Sequence, residues 1–120
     1  MSAVVIKDSL IHYEAIGRGK PLVFIHGWLG SWRYWVPAME ELSTRYRTYA
    51  LDLWGFGDSD KSTPRYDVAN YVELLRTFLD ELGVFGTVPL VGHALGATVA
   101  VCFAHQYPEY VNRVMAVSLP

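Results

Sequence analysis

The residues with the most chemical meaning are Gly92-His93-Ala94-Leu95-Gly96. They lie between an apolar run, Val88 to Val91, and a helix-like stretch, Leu95 to Tyr107. The pattern is strand, sharp turn, helix, with glycines two residues either side of a central position. That spacing has a physical reason. The central residue of such a turn holds a strained backbone conformation, which lifts its side chain above the sheet. The flanking positions come so close to one another and to a neighbouring strand that side chains are excluded. Gly92 and Gly96 meet that demand, and Ala97 and Ala100 let the following helix lie close to the sheet. The helix N-terminus also aims free backbone N–H groups at whatever sits above the turn. Taken alone, the pentapeptide also fits a glycine-flanked turn in another parallel-sheet protein. A phosphate-binding loop is disfavoured, because neither G-x-x-x-x-G-K-S/T nor G-x-G-x-x-G occurs.

Such a turn needs a sheet beneath it. Val4 to Lys7 and Ile11 to Ala15 read as short strands joined by a turn at Asp8-Ser9. Leu22 to Ile25 is a continuous apolar run, as expected of a strand buried on both faces. Ser31 can cap a helical stretch reaching about Ser43, with regular helix from near Val36 because Pro37 suits a first turn. Tyr46 to Leu51 is the next strand, and Gly55 to Pro64 is polar and turn-rich. Val68 to Leu82 reads as a helix with Val72, Leu75, Phe78, Leu79 and Leu82 on one stripe, stopped by Gly83. After the glycine turn and its helix, Val111 to Ser118 is a last strand. Strands alternating with helices predict right-handed crossovers and a largely parallel α/β sheet of about six strands with flanking helices. The first two strands predict an antiparallel edge.

Several segments together resemble the α/β-hydrolase family. Gly92 to Gly96 resembles its G-x-S-x-G nucleophile elbow, with alanine in the serine position. His26-Gly27-Trp28 stands where the family carries its HG oxyanion segment. Asp52-Leu53-Trp54-Gly55-Phe56-Gly57-Asp58-Ser59 resembles its D-x-x-G-x-G-x-S loop, and Tyr107-Pro108-Glu109-Tyr110-Val111 resembles the end of its post-elbow helix. The motifs occur in family order and cover nearly the whole chain. The resemblance implies that residues 1–120 are the N-terminal part of one α/β-hydrolase core, incomplete without its C-terminal strands.

It also implies roles. A serine at position 94 would attack an acyl carbonyl, and the backbone N–H groups of Leu95 and Trp28 would form the oxyanion hole. His26 would hold its loop by hydrogen bonding, while Gly27, Gly92, His93 and Gly96 are structural. The Trp28 side chain is either part of an acyl-binding wall or simple packing. His12 lies on an early strand, His105 at the far end of a helix, and the His93 side chain should point away from position 94; none is a catalytic base. Asp52, Asp58 and Ser59 read as loop residues. Trp54 stands where many relatives carry arginine or proline and can tune the pocket. Trp28, Trp32, Trp35, Trp54 and Phe56 together suggest an apolar or aromatic pocket, several of them as core. In this family the acid and the histidine follow the elbow, so both are expected beyond residue 120.

The implied activity is hydrolysis of a carboxylic ester or related acyl bond in a small-molecule substrate, with no metal and no organic cofactor. Aspartate-nucleophile branches, dehalogenases and epoxide hydrolases, remain open because Ala94 hides the original residue. So do carbon–carbon bond hydrolases and perhydrolases. Two origins fit Ala94: a deliberate Ser→Ala inactivation, or a natural non-catalytic relative that serves as a receptor or scaffold.

Composition narrows the setting. The chain has 120 residues, a formal charge of −2 and 52% hydrophobic residues. Its scattered Lys and Arg residues give no nucleic-acid or membrane-surface footprint. No apolar run reaches the roughly 20 residues that span a bilayer, and no signal peptide is read at the start. Cys102 is the single cysteine, so a cytoplasmic protein without an internal disulfide is expected. A final strand left as an open edge invites aggregation. The expected partner is therefore a second polypeptide segment carrying the cap, the C-terminal strands, the acid and the histidine.

Overall fold

The computed structural model of the chain describes residues 2–7, 9–28, 30–59, 61, 67–84 and 86–120. Its strands are β1 (Ser2–Ile6), β2 (Ser9–Gly17), β3 (Lys20–Ile25), β4 (Tyr46–Leu51), β5 (Val88–His93) and β6 (Val111–Val117). Its α-helices are α1 (Val36–Leu42), α2 (Val68–Glu81) and α3 (Leu95–Gln106). The strands form one six-stranded sheet in the order β1-β2-β4-β3-β5-β6. β1 pairs antiparallel with β2, and β2 antiparallel with β4. β4, β3, β5 and β6 are mutually parallel neighbours.

Side chains alternate across a strand, so β3 feeds both faces of the sheet. Val23 and Ile25 join Leu51, Leu75, Phe78, Leu90 and Phe103 in a core under α2 and α3. Leu22 and Phe24 join Ala50, Trp35 and Met39 under α1. This two-sided burial is why Leu22 to Ile25 reads as an unbroken apolar run.

The helices begin where their caps stand. Ser31 Oγ accepts from Arg33 N–H (3.3 Å) ahead of a 3-10 turn over Trp32–Trp35, and regular α1 starts at Val36 with Pro37 in its first turn. Asp67 Oδ1 accepts from Asn70 N–H (2.8 Å) at the head of α2. The buried stripe of α2 includes Val72, Leu75, Phe78 and Leu79. Ala97 and Ala100 are buried on α3, which lets that helix pack tightly on β5 and β6.

Some boundaries differ from the sequence reading. Ser9 opens β2 and is not a turn residue; the chain turns at Lys7, whose φ is 50°. β2 extends from Ser9 to Gly17 because it pairs along its length with β1 and then with β4. β5 runs on through Gly92 and His93, which pair with Ala116 and Val117. α3 ends at Gln106, and β6 ends at Val117 because Ser118 adopts φ 53°. Asp8 of the expected first turn, and Asp60 and residues 62–64 of the turn-rich stretch, lie outside the described residues.

Candidate active site at the Ala94 turn

β5 delivers the chain to Ala94 and α3 carries it away. Ala94 adopts φ 52° and ψ −114°, a region that residues with a Cβ rarely enter. The conformation is tied from both sides. Ala94 N–H donates to the Val117 carbonyl (2.9 Å), and its own carbonyl accepts from Ala97 N–H (2.9 Å) and Thr98 N–H (3.1 Å). A Cβ on Gly92 would come within 2.3 Å of the Gly96 carbonyl oxygen, and one on Gly96 within 2.2 Å of the Ile25 carbonyl oxygen. Both flanks therefore exclude side chains by backbone contact. Leu95 is the first residue of α3, where backbone N–H groups have no acceptor within the helix.

The loop after β3 meets this turn. A Cβ on Gly27 would lie 2.9 Å from His93 Nδ1 and 3.2 Å from Ala94 Cβ. Gly30 N–H donates to the Gly27 carbonyl (2.9 Å), closing a turn that contains Trp28. The Trp28 side chain is 66% exposed and stands edge-on to Phe56, with ring centroids 5.2 Å apart. His93 stacks on Tyr34 at 4.9 Å, with the ring planes 23° apart.

His26 is buried and bonded at both ring nitrogens. Nδ1 donates to the Gly27 carbonyl (2.7 Å), and Nε2 accepts from Leu53 N–H (3.0 Å). These partners require the neutral ring, and burial pushes its pKa below the ordinary 6.5. Asp52 is buried and clamps two loops, with Oδ1 accepting from Trp32 N–H (2.7 Å) and Oδ2 from Asp58 N–H (2.9 Å). Ser59 Oγ accepts from His12 N–H (2.9 Å) and donates to the Asp52 carbonyl (2.6 Å). Hydrogen bonding from Trp32, aided by Arg33, holds the Asp58 carboxyl below its usual range.

The aromatic residues divide. Trp35, Trp54 and Phe56 are buried in the two cores. Trp54 is fully covered within the larger core and does not line an open surface, and its carbonyl accepts from Tyr71 OH (2.9 Å). Trp28 is the exposed one of the five, and Trp32 is half-buried. Tyr34, 56% exposed and stacked on His93, was not singled out in the sequence; no motif marks it, because it reaches the turn only through the 3-10 turn before α1. His105 lies in the last turn of α3, away from this cluster. An apolar trough of about 490 Å³ runs along the α1 face, lined by Leu42, Val91 and Val117 among others, and Ala94, Leu95 and Trp28 are not part of it.

The family model for the alpha/beta hydrolase fold matches residues 20–120. The chain belongs to that family. This α/β-hydrolase chain is 33% identical over 109 residues to a soluble epoxide hydrolase of Corynebacterium sp. (strain C12), covering 91% of itself and 38% of that protein. It is 37% identical over 121 residues to human epoxide hydrolase 4, covering 96% of itself and 33% of that protein. Among solved structures it superposes with a TM-score of 0.92 on a bacterial membrane phospholipase A, at 31% identity, covering 96% of itself and 38% of that chain. It thus spans less than half the length of the relatives it matches.

Proposed function

We propose that this chain carries the nucleophile position of a hydrolase acting on carboxylic esters or related acyl bonds, and that Ala94 leaves it without turnover. The observation that supports this reading is the Ala94 backbone, φ 52° and ψ −114° at the head of α3. A strained non-glycine residue there costs on the order of 1–3 kcal/mol, a cost that presenting a nucleophile explains. With serine at position 94, Oγ would bond to the acyl carbon and its proton would pass to a histidine. The N–H groups of Leu95 and Trp28 would stabilise the oxyanion, each by about 2.7–4 kcal/mol. On collapse the leaving alcohol takes the proton from that histidine, and water then hydrolyses the acyl-enzyme by the same path. The histidine and its acid belong to the partner in this reading, a second segment carrying the cap and the last strands. The exposed thiol of Cys102 fits a reducing, cytoplasmic setting.

Identities of 33% and 37% to proteins named epoxide hydrolases favour a second reading, a carboxylate at position 94. Its oxygen would attack an epoxide carbon and open the ring to an ester intermediate, which water cleaves. The test is Ala94→Ser and Ala94→Asp in the complete protein, each assayed on aryl esters, lactones and aryl epoxides, with intact-mass detection of covalent adducts. Ester or lactone turnover by the serine variant supports the first reading. Epoxide opening by the aspartate variant alone supports the second. Tight ligand binding without turnover in either variant overturns both in favour of a receptor or scaffold.

A further inference from the structure

Away from Ala94, side chains from separate segments converge beside Trp32. His12 and Glu14 lie two residues apart on β2, so both leave the same face of the strand. Asp52 directly follows β4, and Asp58 lies further along the same loop. One ring nitrogen of His12 and one carboxylate oxygen from each of Asp52 and Asp58 lie within 4.8 Å of one another. This is not a set of surface acids: His12 is 1% exposed and Asp52 is 0% exposed. Asp58 is exposed and opens the cluster to solvent.

The telling atom is His12 Nε2. It is removed from solvent and has no hydrogen-bond partner, which is unfavourable for a buried ring nitrogen. Glu14 Oε2 stands 2.9 Å from it, within ion-pair distance if the ring is protonated. The carboxylates are already oriented. Asp52 accepts one backbone N–H on each oxygen and keeps a second lone pair on each. Asp58 Oδ2 receives two long contacts, from Trp32 Nε1 and Arg33 Nη2, both 3.4 Å. Outer hydrogen bonds of this kind fix ligand orientation around metals.

We propose that His12, Asp52 and Asp58 form a binding site for a divalent transition ion of the Zn²⁺ or Co²⁺ type. An imidazole nitrogen beside carboxylates selects such ions over Mg²⁺ or Ca²⁺, which take all-oxygen sites. The ion ties β2 to the loop after β4, and through Asp52 to the backbone of Trp32. Its role is structural, and the proposal is independent of what occupies position 94.

The test uses the complete, untagged protein stripped with a chelator and titrated with Zn²⁺, Co²⁺ and Mg²⁺. Calorimetry gives stoichiometry and affinity, and the visible spectrum of bound Co²⁺ reports the ligand set. The expected result is one Zn²⁺ or Co²⁺ per chain, weakened at least about tenfold by His12→Gln and by Asp58→Asn, with Mg²⁺ bound far more weakly. Should His12→Gln fail to fold, Asp58→Asn alters an exposed side chain and decides the matter alone. No saturable binding, unchanged affinity in Asp58→Asn, or equal affinity for Mg²⁺ would overturn the proposal.

Discussion

Ala94 stores strain that glycine would not. Ala94→Gly should therefore raise stability by about 0.5–1 kcal/mol, the relief of strain less the added freedom of the unfolded chain. The urea midpoint of the complete protein measures it, and a clear loss of stability would show that the alanine conformation is unstrained. Gly96 behaves in the opposite way. A methyl group there meets the Ile25 carbonyl at 2.2 Å, and backbone cannot step aside. Gly96→Ala should cost at least about 3 kcal/mol or prevent folding, seen as loss of soluble protein or of cooperative melting. His26 sets a pH dependence. Its folded pKa lies below the ordinary 6.5, so above that value neither state gains a proton. As pH falls below it, the unfolded state binds a proton that the native state resists, and stability drops by up to about 1.4 kcal/mol per pH unit. His26→Gln should lower stability at neutral pH and flatten that slope; an unchanged slope would place its origin elsewhere.

At the scale of elements, caps and packing act separately. Asp67→Ala removes the side-chain acceptor at the head of α2 and should cost about 1 kcal/mol, read from the same denaturation curve. Most elements were legible in the sequence because their signals are local: the apolar run of β3, Pro37 in the first turn of α1, the stripe and Gly83 at the end of α2. What the sequence hid is what distant partners decide. β2 outgrew its expected limits because it pairs with β1 and β4 in turn. Trp54 stands just before a turn-rich stretch that looks open in sequence, yet it is buried in the same core as the α2 stripe. The glycines of the Ala94 turn were legible because steric exclusion forces their identity. Tyr34 and the gathering of His12 with Asp52 were not, since each depends on how one loop lies over another.

The whole molecule has an unequal boundary. β1 closes one side of the sheet as an antiparallel edge, whereas β6 closes the other as a parallel strand paired only to β5 among the described residues. Met115 is 63% exposed and Val117 38% exposed on that strand, next to the apolar trough of the α1 face. Unpaired backbone and uncovered apolar surface at one edge favour association. Residues 1–120 expressed alone should therefore self-associate, by size exclusion, or lack fixed near-ultraviolet dichroism. A monodisperse monomer with cooperative unfolding of the isolated polypeptide would refute this.

The backbone around Ala94 is held by Val117, Ala97, Thr98 and the two flanking glycines, and not by anything the alanine methyl group does. In genetic terms the turn and its occupant are separable. Alanine codons differ from a serine codon by one base at the first position, and from an aspartate or a glutamate codon by one base at the second. A gene encoding this scaffold is thus a single nucleotide from either kind of nucleophile, with no rebuilding of the fold required in between.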